Sequence, residues 1–301
     1  KEMYTFTDQG GDSLTLRPEA TAGIVRATIC NGLLRGARLK LWCQGPMFRH
    51  EKPQKGRFRQ FNQVDVEAIG FAGPDVDVEV IALSARFWKV LGLTRVKLQI
   101  NSLGTPESRK AYGSLLQDYF RHHLDALDED ARRRLEGNPL RILDSKHPPT
   151  QEIVKHAPVL ADHLDAESQA HFAELRAGLD ALGIPYTVNP RLVRGLDYYS
   201  RTVFEWITDA LGSQDAVCSG GRYDGLISQL GGDATPAIGF AMGVERVVEL
   251  VRLAGVKPQP AVPDVFVMAQ GDAAQRQALV LAETLRDAMP GQGVVVHCGS
   301  A

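Results

Sequence analysis

Apolar residues along this chain change their period several times, and each change marks an element. Tyr4-Thr5-Phe6 and Leu14-Thr15-Leu16 alternate around the turn-rich Asp8-Gln9-Gly10-Gly11-Asp12-Ser13, the pattern of a hairpin. From Pro18, apolar positions Ile24, Val25, Ile29, Leu33 and Leu34 keep helical spacing, with Gly36 as the stop. Strands are predicted near 38–49 and 58–71, joined by a charged loop. A helix over 75–92 follows, with Val76, Val80, Leu83, Phe87, Val90 and Leu91 on one face, and then a strand over 96–100. Between about 103 and 182 the patterning is helical, rich in Ala, Arg, Asp, Glu and His and broken by Pro139, Pro148, Pro149 and Pro158. Strands resume at 186–188, 202–207 and 216–219, followed by a long helix over 237–254. Past the proline-rich 257–263, strand 264–269, helix 272–289 and strand 294–297 read as a βαβ unit.

The whole is a mixed, largely antiparallel α+β chain whose sheet is interrupted by a helical insertion. Its expected divisions are a first sheet segment (1–103), the insertion (104–183), a second sheet segment (184–256), a linker (257–263) and the start of an α/β domain (264–301). The 301 residues, 44% hydrophobic, suffice for roughly two domains. A strand at each end and no initiating Met make the chain read as a segment of a longer one.

With a formal net charge of −2, the chain cannot coat nucleic acid through bulk positive charge, so such contact needs a local basic patch. Cys30, Cys43, Cys218 and Cys298 are scattered without a C-x-x-C pair, which argues against a zinc site or disulfide framework. They are expected to be buried small hydrophobes in a cytoplasmic protein. No apolar run is long enough to span a bilayer.

The patch lies at 48–61, where Arg49, Lys52, Lys55, Arg57 and Arg59 outnumber Glu51, and Phe58 and Phe61 interleave with them. Such a run is either a solvated loop or a polyanion site with a stacking surface. Arg49, within the strand, suits bidentate phosphate recognition. Arg194, in Leu192-Val193-Arg194-Gly195-Leu196-Asp197-Tyr198-Tyr199, is a second cationic candidate beside two tyrosines; a turn into a core strand is the alternative. Gly239 to Arg246 sets small residues ahead of an amphipathic helix and is either a ligand approach or simple helix packing. Glu19 is either a helix-start acid or a ligand group. Gln63, Asp65 and Glu67 share one face of a strand, which is either solvated or the floor of a polar pocket. No Walker loop, G-x-S-x-G, H-E-x-x-H or EF-hand occurs, and the adjacent His122 and His123 read as surface residues.

Together these segments resemble histidyl-tRNA synthetases of class II, in order along essentially the whole chain. Phe48-Arg49-His50-Glu51 with Arg57-Phe58-Arg59-Gln60-Phe61 is similar to class II motif 2, and Gly239 to Arg246 to motif 3. Leu192 to Tyr199 and Ser219 to Gly225 resemble stretches peculiar to the histidine enzymes. The resemblance implies a class II antiparallel sheet flanked by helices, with a helical insertion and a C-terminal α/β anticodon-binding domain. It implies histidine activation by ATP with Mg²⁺ and transfer to the 3′ end of tRNA(His), in a protein that is a homodimer at full length and has no membrane association.

In that reading Arg49 and Arg194 grip the α-phosphate as the catalytic pair. Arg49, Arg57, Phe61 and Arg246 hold ATP, with Arg246 over the adenine opposite Phe61. Glu19, Thr21 and Gln63 hold the substrate ammonium. Glu67 and Tyr199, with Tyr198, Tyr223 and Gly239 nearby, meet the imidazole. Lys52, Gln54 and Arg59 contact the tRNA acceptor end, and no metal is held mainly by protein. Position 20 is Ala where the family usually has Gly, and motif 1 would precede Lys1. The main rival is the histidine-sensing, synthetase-like regulatory subunit of ATP phosphoribosyltransferase; Arg49, Arg194 and the basic loop argue against it. A class II enzyme for another amino acid is disfavoured by Tyr198, Tyr199 and Glu67.

Overall fold

The computed structural model describes residues 3–51, 57–145, 147–194, 196, 198–212, 216–257 and 262–298. The chain divides into two compact units, Lys1–Val256 and Lys257–Ala301.

The larger unit begins with the hairpin β1 (Thr5–Thr7) and β2 (Ser13–Thr15), its turn held by Asp8 Oδ1, which accepts from the amides of Gly10 and Asp12 at 2.8 and 2.9 Å. Helix α1 (Thr21–Cys30) is shorter than its apolar spacing predicts. The Glu19 carboxylate accepts the Ala22 amide at 3.0 Å at its start, and beyond Asn31 the chain turns through Gly32 and Gly36, both at positive φ. Strands β3 (Leu39–Phe48) and β4 (Gln60–Ile69) pair antiparallel over their full length, from Leu39 opposite Ile69 to Phe48 opposite Gln60. Helix α2 (Pro74–Val90) follows, with Pro at its first turn and Asp75 and Asp77 at its positive end. Next comes β5 (Lys97–Ser102).

Helices α3 (Pro106–Arg121), α4 (Glu129–Leu135) and α5 (Pro148–Lys155), with short 3₁₀ turns, gather around Tyr112, Leu116, Phe120, Ile142 and Leu160. Leu192, Tyr199 and Val203 join the same cluster. Helix α6 (Ala166–Ala181) behaves differently from the rest of the 103–182 stretch: its buried Leu175 and Leu179 pack with Val76, Val80 and Ile81 of α2 in the main core. Its start is capped by Asp165, which accepts from the Ser168 amide at 2.8 Å.

The remaining elements are β6 (Tyr186–Val188), β7 (Ser200–Ile207), β8 (Ala216–Arg222), the short α7 (Leu226–Gln229), β9 (Ala237–Gly243) and α8 (Val244–Leu253). The long helix predicted over 237–254 is therefore corrected to a strand followed by a helix. Ile238, Phe240 and Met242 alternate with Ala and Gly, a period-two pattern that places every second residue in the core. A seven-stranded sheet results, in the order β3-β4-β9-β8-β7-β5-β6, antiparallel except for the β5–β6 pair.

One face of this sheet packs Ala68, Phe204, Trp206, Ile238, Phe240 and Met242 against α2 and α6. Period two then fixes the opposite face, which carries Gln63, Asp65 and Glu67 of β4, Glu205 of β7, Ser219 of β8 and Gly239 and Ala241 of β9. The smaller unit holds β10 (Val265–Val267), α9 (Asp272–Ala288) and β11 (Val294–Val296), with the two strands parallel, as a βαβ crossover requires.

Candidate active site

Gln63, Asp65 and Glu67 are 7%, 0% and 1% exposed, so their strand face is not a solvated surface: Gln63 and Asp65 line a polar pocket, and Glu67 is buried behind its lining residues Thr21, Tyr223 and Gly239. The cavity above this face has a volume of about 270 Å³. Its walls come from the start of α1 (Glu19, Thr21), the ends of β3 and β4 (Arg49, Phe61, Gln63), the 192–199 loop (Arg194, Tyr198, Tyr199) and β8–β9 (Ser219, Gly239, Ala241), with Tyr223, Arg57 and Arg246 closing it. Most residues singled out in the sequence thus converge on one site. Arg59 is exposed and donates through Nε to the Glu51 carbonyl at 3.3 Å. Lys52 and Gln54 lie outside the described residues.

Glu67 anchors one end. Its Oε1 accepts the Thr21 hydroxyl at 2.6 Å and its Oε2 the Tyr223 hydroxyl at 2.5 Å. Burial pushes its carboxyl up to about 8, with the two hydroxyl donors pulling the other way. A Cβ at position 239 would stand 1.7 Å from Oε2, so only glycine leaves room for the carboxylate against β9. The hydroxyl that touches Glu67 from the tyrosine cluster is that of Tyr223, whose ring meets Tyr198 edge-on with centroids 5.7 Å apart. Tyr199 instead lies under Arg194, whose Cζ is 5.8 Å from the ring centroid.

At the other end stand the cations. Arg49 donates Nε to the Pro18 carbonyl at 2.7 Å and lies over the Phe61 ring, 5.0 Å from its centroid. Arg194 donates Nη1 to Glu205 at 2.7 Å, and the Ser219 hydroxyl donates to the same oxygen at 2.9 Å. Burial disfavours the charge on Arg194, but Tyr199 and Glu205 more than offset it, and its pKa stands above the ordinary value. The chain leading into Arg194 is tied down at Leu192 and Arg191. Asn101 donates to the Leu192 carbonyl at 3.0 Å, and Arg191 reaches the carbonyls of Ala157 and Pro158 at 2.7 and 2.9 Å. Arg57 pairs with Glu51. Glu245 accepts the backbone and side-chain N–H of Asn62 at 2.9 Å each.

The sequence reading missed Glu205, Ser219, Glu51 and Glu245 as partners that orient these groups. Glu205 had a signal, a lone carboxylate between Phe204 and Trp206 in an apolar strand, and Glu51 had one in its place six residues from Arg57 in the basic run; Ser219 and Glu245 had none. Arg222, in the Ser219–Gly225 segment, faces away from the cavity. It is fully buried and donates to Asp77 at 2.5 Å, to the Phe71 and Gly73 carbonyls at 2.9 Å each and to Asp224 at 3.1 Å, while His171 meets the same Asp77 at 2.8 Å. That segment therefore joins the site to the helix layer. Of the cysteines, Cys218 is buried, but Cys30 and Cys298 are exposed, contrary to expectation.

Among the described residues no group of three or more His, Cys, Asp or Glu could hold a metal, and no helix is long and apolar enough to cross a membrane. The carboxylates of Glu51, Glu205 and Glu245 around the cations accept protein N–H groups.

The family model for histidyl-tRNA synthetase matches residues 1–247. A histidine–tRNA ligase of Hydrogenovibrio crunogenus is 56% identical over 299 residues, 99% of this chain and 70% of that protein. The crystal structure of apo S. aureus histidyl-tRNA synthetase is 38% identical and superposes with a TM-score of 0.76 over 99% of this chain and 73% of its own. An ATP phosphoribosyltransferase regulatory subunit/histidyl-tRNA synthetase from Bacillus halodurans shares the fold at 24% identity and a TM-score of 0.63, covering 98% of this chain and 77% of its own. With the pocket, the sheet and these likenesses in agreement, the chain belongs to the histidyl-tRNA synthetase family of histidine–tRNA ligases.

Proposed function

We propose that the cavity between Glu67 and the Arg49–Arg194 pair binds histidine and ATP side by side and joins them as histidyl-adenylate, which then esterifies tRNA(His). The observation that carries this reading is the polarity of one continuous pocket, with tyrosines backed by the buried Glu67 carboxylate at one end and phosphate-competent guanidinium groups at the other. Arg49 and Arg194 approach the α-phosphate from different elements. They neutralise the charge that builds as a histidine carboxylate oxygen attacks phosphorus and pyrophosphate departs. Both are fixed beforehand, Arg49 by the Pro18 carbonyl and Phe61, Arg194 by Glu205 and Tyr199, so little reorganisation accompanies the reaction. Magnesium ion, bound to the nucleotide, supplies further neutralisation of the leaving pyrophosphate.

Phe61 and Arg246 hold the adenine, and Arg57 reaches the terminal phosphates by exchanging Glu51 for them. Glu67, oriented by Thr21 and Tyr223, takes the imidazole together with the tyrosine cluster. An apolar amino acid of similar size would leave that buried carboxylate without its partner, at a cost on the order of several kcal/mol. In the second step a terminal ribose hydroxyl of tRNA attacks the adenylate carbonyl and AMP leaves, with Lys52, Gln54 and Arg59 contacting the acceptor end and the full-length protein acting as a homodimer.

The test is ATP–pyrophosphate exchange across a panel of amino acids. Exchange with histidine alone is expected. Exchange with another amino acid, or histidine binding without exchange, overturns the reading, the second result in favour of a histidine sensor.

A further inference from the structure

Among the buried groups that line the cavity, Arg194 has an unpartnered Nε, and three residues have unpartnered acceptor oxygens. Asp65 is 0% exposed, borders the cavity, and neither of its carboxylate oxygens has a hydrogen-bond partner. Two other buried acceptors around the same cavity are also unpartnered, Gln63 Oε1 and Glu19 Oε2. Arg49 and Arg17 act on Asp65 through space without a hydrogen bond to it, their Nε atoms donating to the Pro18 and Pro46 carbonyls. The residue opposite Asp65 on β9 is Ala241, which offers no polar side chain.

Buried acceptors without donors are costly, and proteins keep them where something else supplies the protons. All three groups accept and none is positioned as a donor, apart from the Gln63 amide nitrogen. They call for a compact cation with several N–H bonds, which is an ammonium and not a phosphate or a carbonyl. Their place along the floor agrees. Residues two apart on a strand are separated by about 7 Å, so Asp65 and Gln63 lie successively further from the Glu67 end and nearer the arginine end, where the α-amine of a histidine would fall.

We propose that Asp65 is a substrate-binding residue of this enzyme, accepting an N–H of the α-ammonium of histidine jointly with Glu19 and Gln63; this rests on the reading of the cavity as a histidine site. Thr21, expected from the family resemblance to share that role, gives its hydroxyl proton to Glu67, which leaves its oxygen as a further acceptor for the ammonium. The isolated Asp65 carboxyl is pushed up to about 7 by burial and by Glu19, against the pull of Arg49 and Arg17. An ammonium beside it restores the ionised form.

The test uses Asp65→Asn in the full chain, which keeps size and shape but removes the charge. Histidinol, with imidazole and ammonium but no carboxylate, and imidazolepropionate, with imidazole and carboxylate but no ammonium, separate the two ends of the substrate by calorimetry. Loss of a charge-assisted bond predicts a histidinol Kd and a histidine KM raised about tenfold or more, with the ATP KM and the imidazolepropionate Kd changed less than about twofold. Equal histidinol binding by Asp65→Asn and wild type overturns the assignment, as does an equal loss for both probes. Should Asp65→Asn fail to fold, Asp65→Ala is read in the same way. A wild-type protein that neither binds histidinol nor exchanges pyrophosphate with histidine overturns the histidine-site reading and this inference with it; active wild type with an unaffected variant overturns this inference alone.

Discussion

Replacing Glu67 by Gln should stabilise the ligand-free protein at alkaline pH while impairing its use of histidine. Thr21 and Tyr223 both donate to Glu67, and because each hydroxyl can also accept, a glutamine amide can keep both contacts after rotation of one hydroxyl. The substitution removes only the ionisation. Burial raises the Glu67 carboxyl from its ordinary 4.5 to about 8. Between those values the folded state holds a proton that the unfolded chain releases, so wild-type stability falls as pH climbs through this window and levels off above it. At about 1.4 kcal/mol per pH unit, the window of some three and a half units corresponds to about 4–5 kcal/mol. At roughly 2–4 °C per kcal/mol for a unit of this size, the melting temperature of Glu67→Gln relative to wild type should rise by about 10 °C or more between pH 5 and pH 8.5. Thermal melts at half-unit pH steps, without histidine, measure it. A melting difference independent of pH, or one that favours wild type increasingly as pH rises, would refute the argument that Glu67 is held neutral by burial. In pyrophosphate exchange the same variant should show a histidine KM raised at least about tenfold, since a glutamine amide, unlike Glu67, cannot ionise when the imidazole binds.

Arg194→Ala should slow single-turnover adenylate formation by about 10²–10³-fold while the fold survives, because it removes a preorganised charge at the reacting phosphate; near-normal rates would sink its assignment. Gly239→Ala sets a methyl 1.7 Å from Glu67 Oε2 and 2.5 Å from the Val66 carbonyl, within a paired strand that cannot yield. A lowered melting temperature together with a raised histidine KM is expected, and an unchanged KM would contradict the packing of Glu67 against β9. Arg222→Met should cost about 3–5 kcal/mol by leaving Asp77 charged and buried, and adding Asp77→Asn should recover part of that loss in a double-mutant cycle. Additive losses in denaturant unfolding would show that the pair is not coupled.

Local pattern settled much of this protein without coordinates. Alternation and helical spacing located the first hairpin, both long strands β3 and β4, helix α2 and the parallel pair flanking α9, because burial on one face writes its period into the sequence. Chemistry that is compact in sequence was legible too: Arg49 beside its basic loop, Arg194 beside two tyrosines, and the polar row Gln63, Asp65 and Glu67. The Ala237–Gly243 strand was not, since a run of small and apolar residues leading directly into a real helix carries no boundary in its hydrophobicity; the sheet positions on either side, β4 and β8, decide it.

Whether the polar row faced water or a cavity was equally undetermined, because period two says which residues share a face and never what covers it. The covering arrives from α1, which precedes the strand, and from Arg194, Tyr198, Tyr199 and Tyr223, more than a hundred residues after it. Separation in sequence also hid Tyr223 as the hydroxyl on Glu67 and the buried Arg222–Asp77–His171 network, while Glu205, only 11 residues from Arg194, was hidden because spacing alone does not say that the two side chains meet. Each of these depends on a desolvated contact between elements, and desolvation belongs to the assembled sheet rather than to any segment of it.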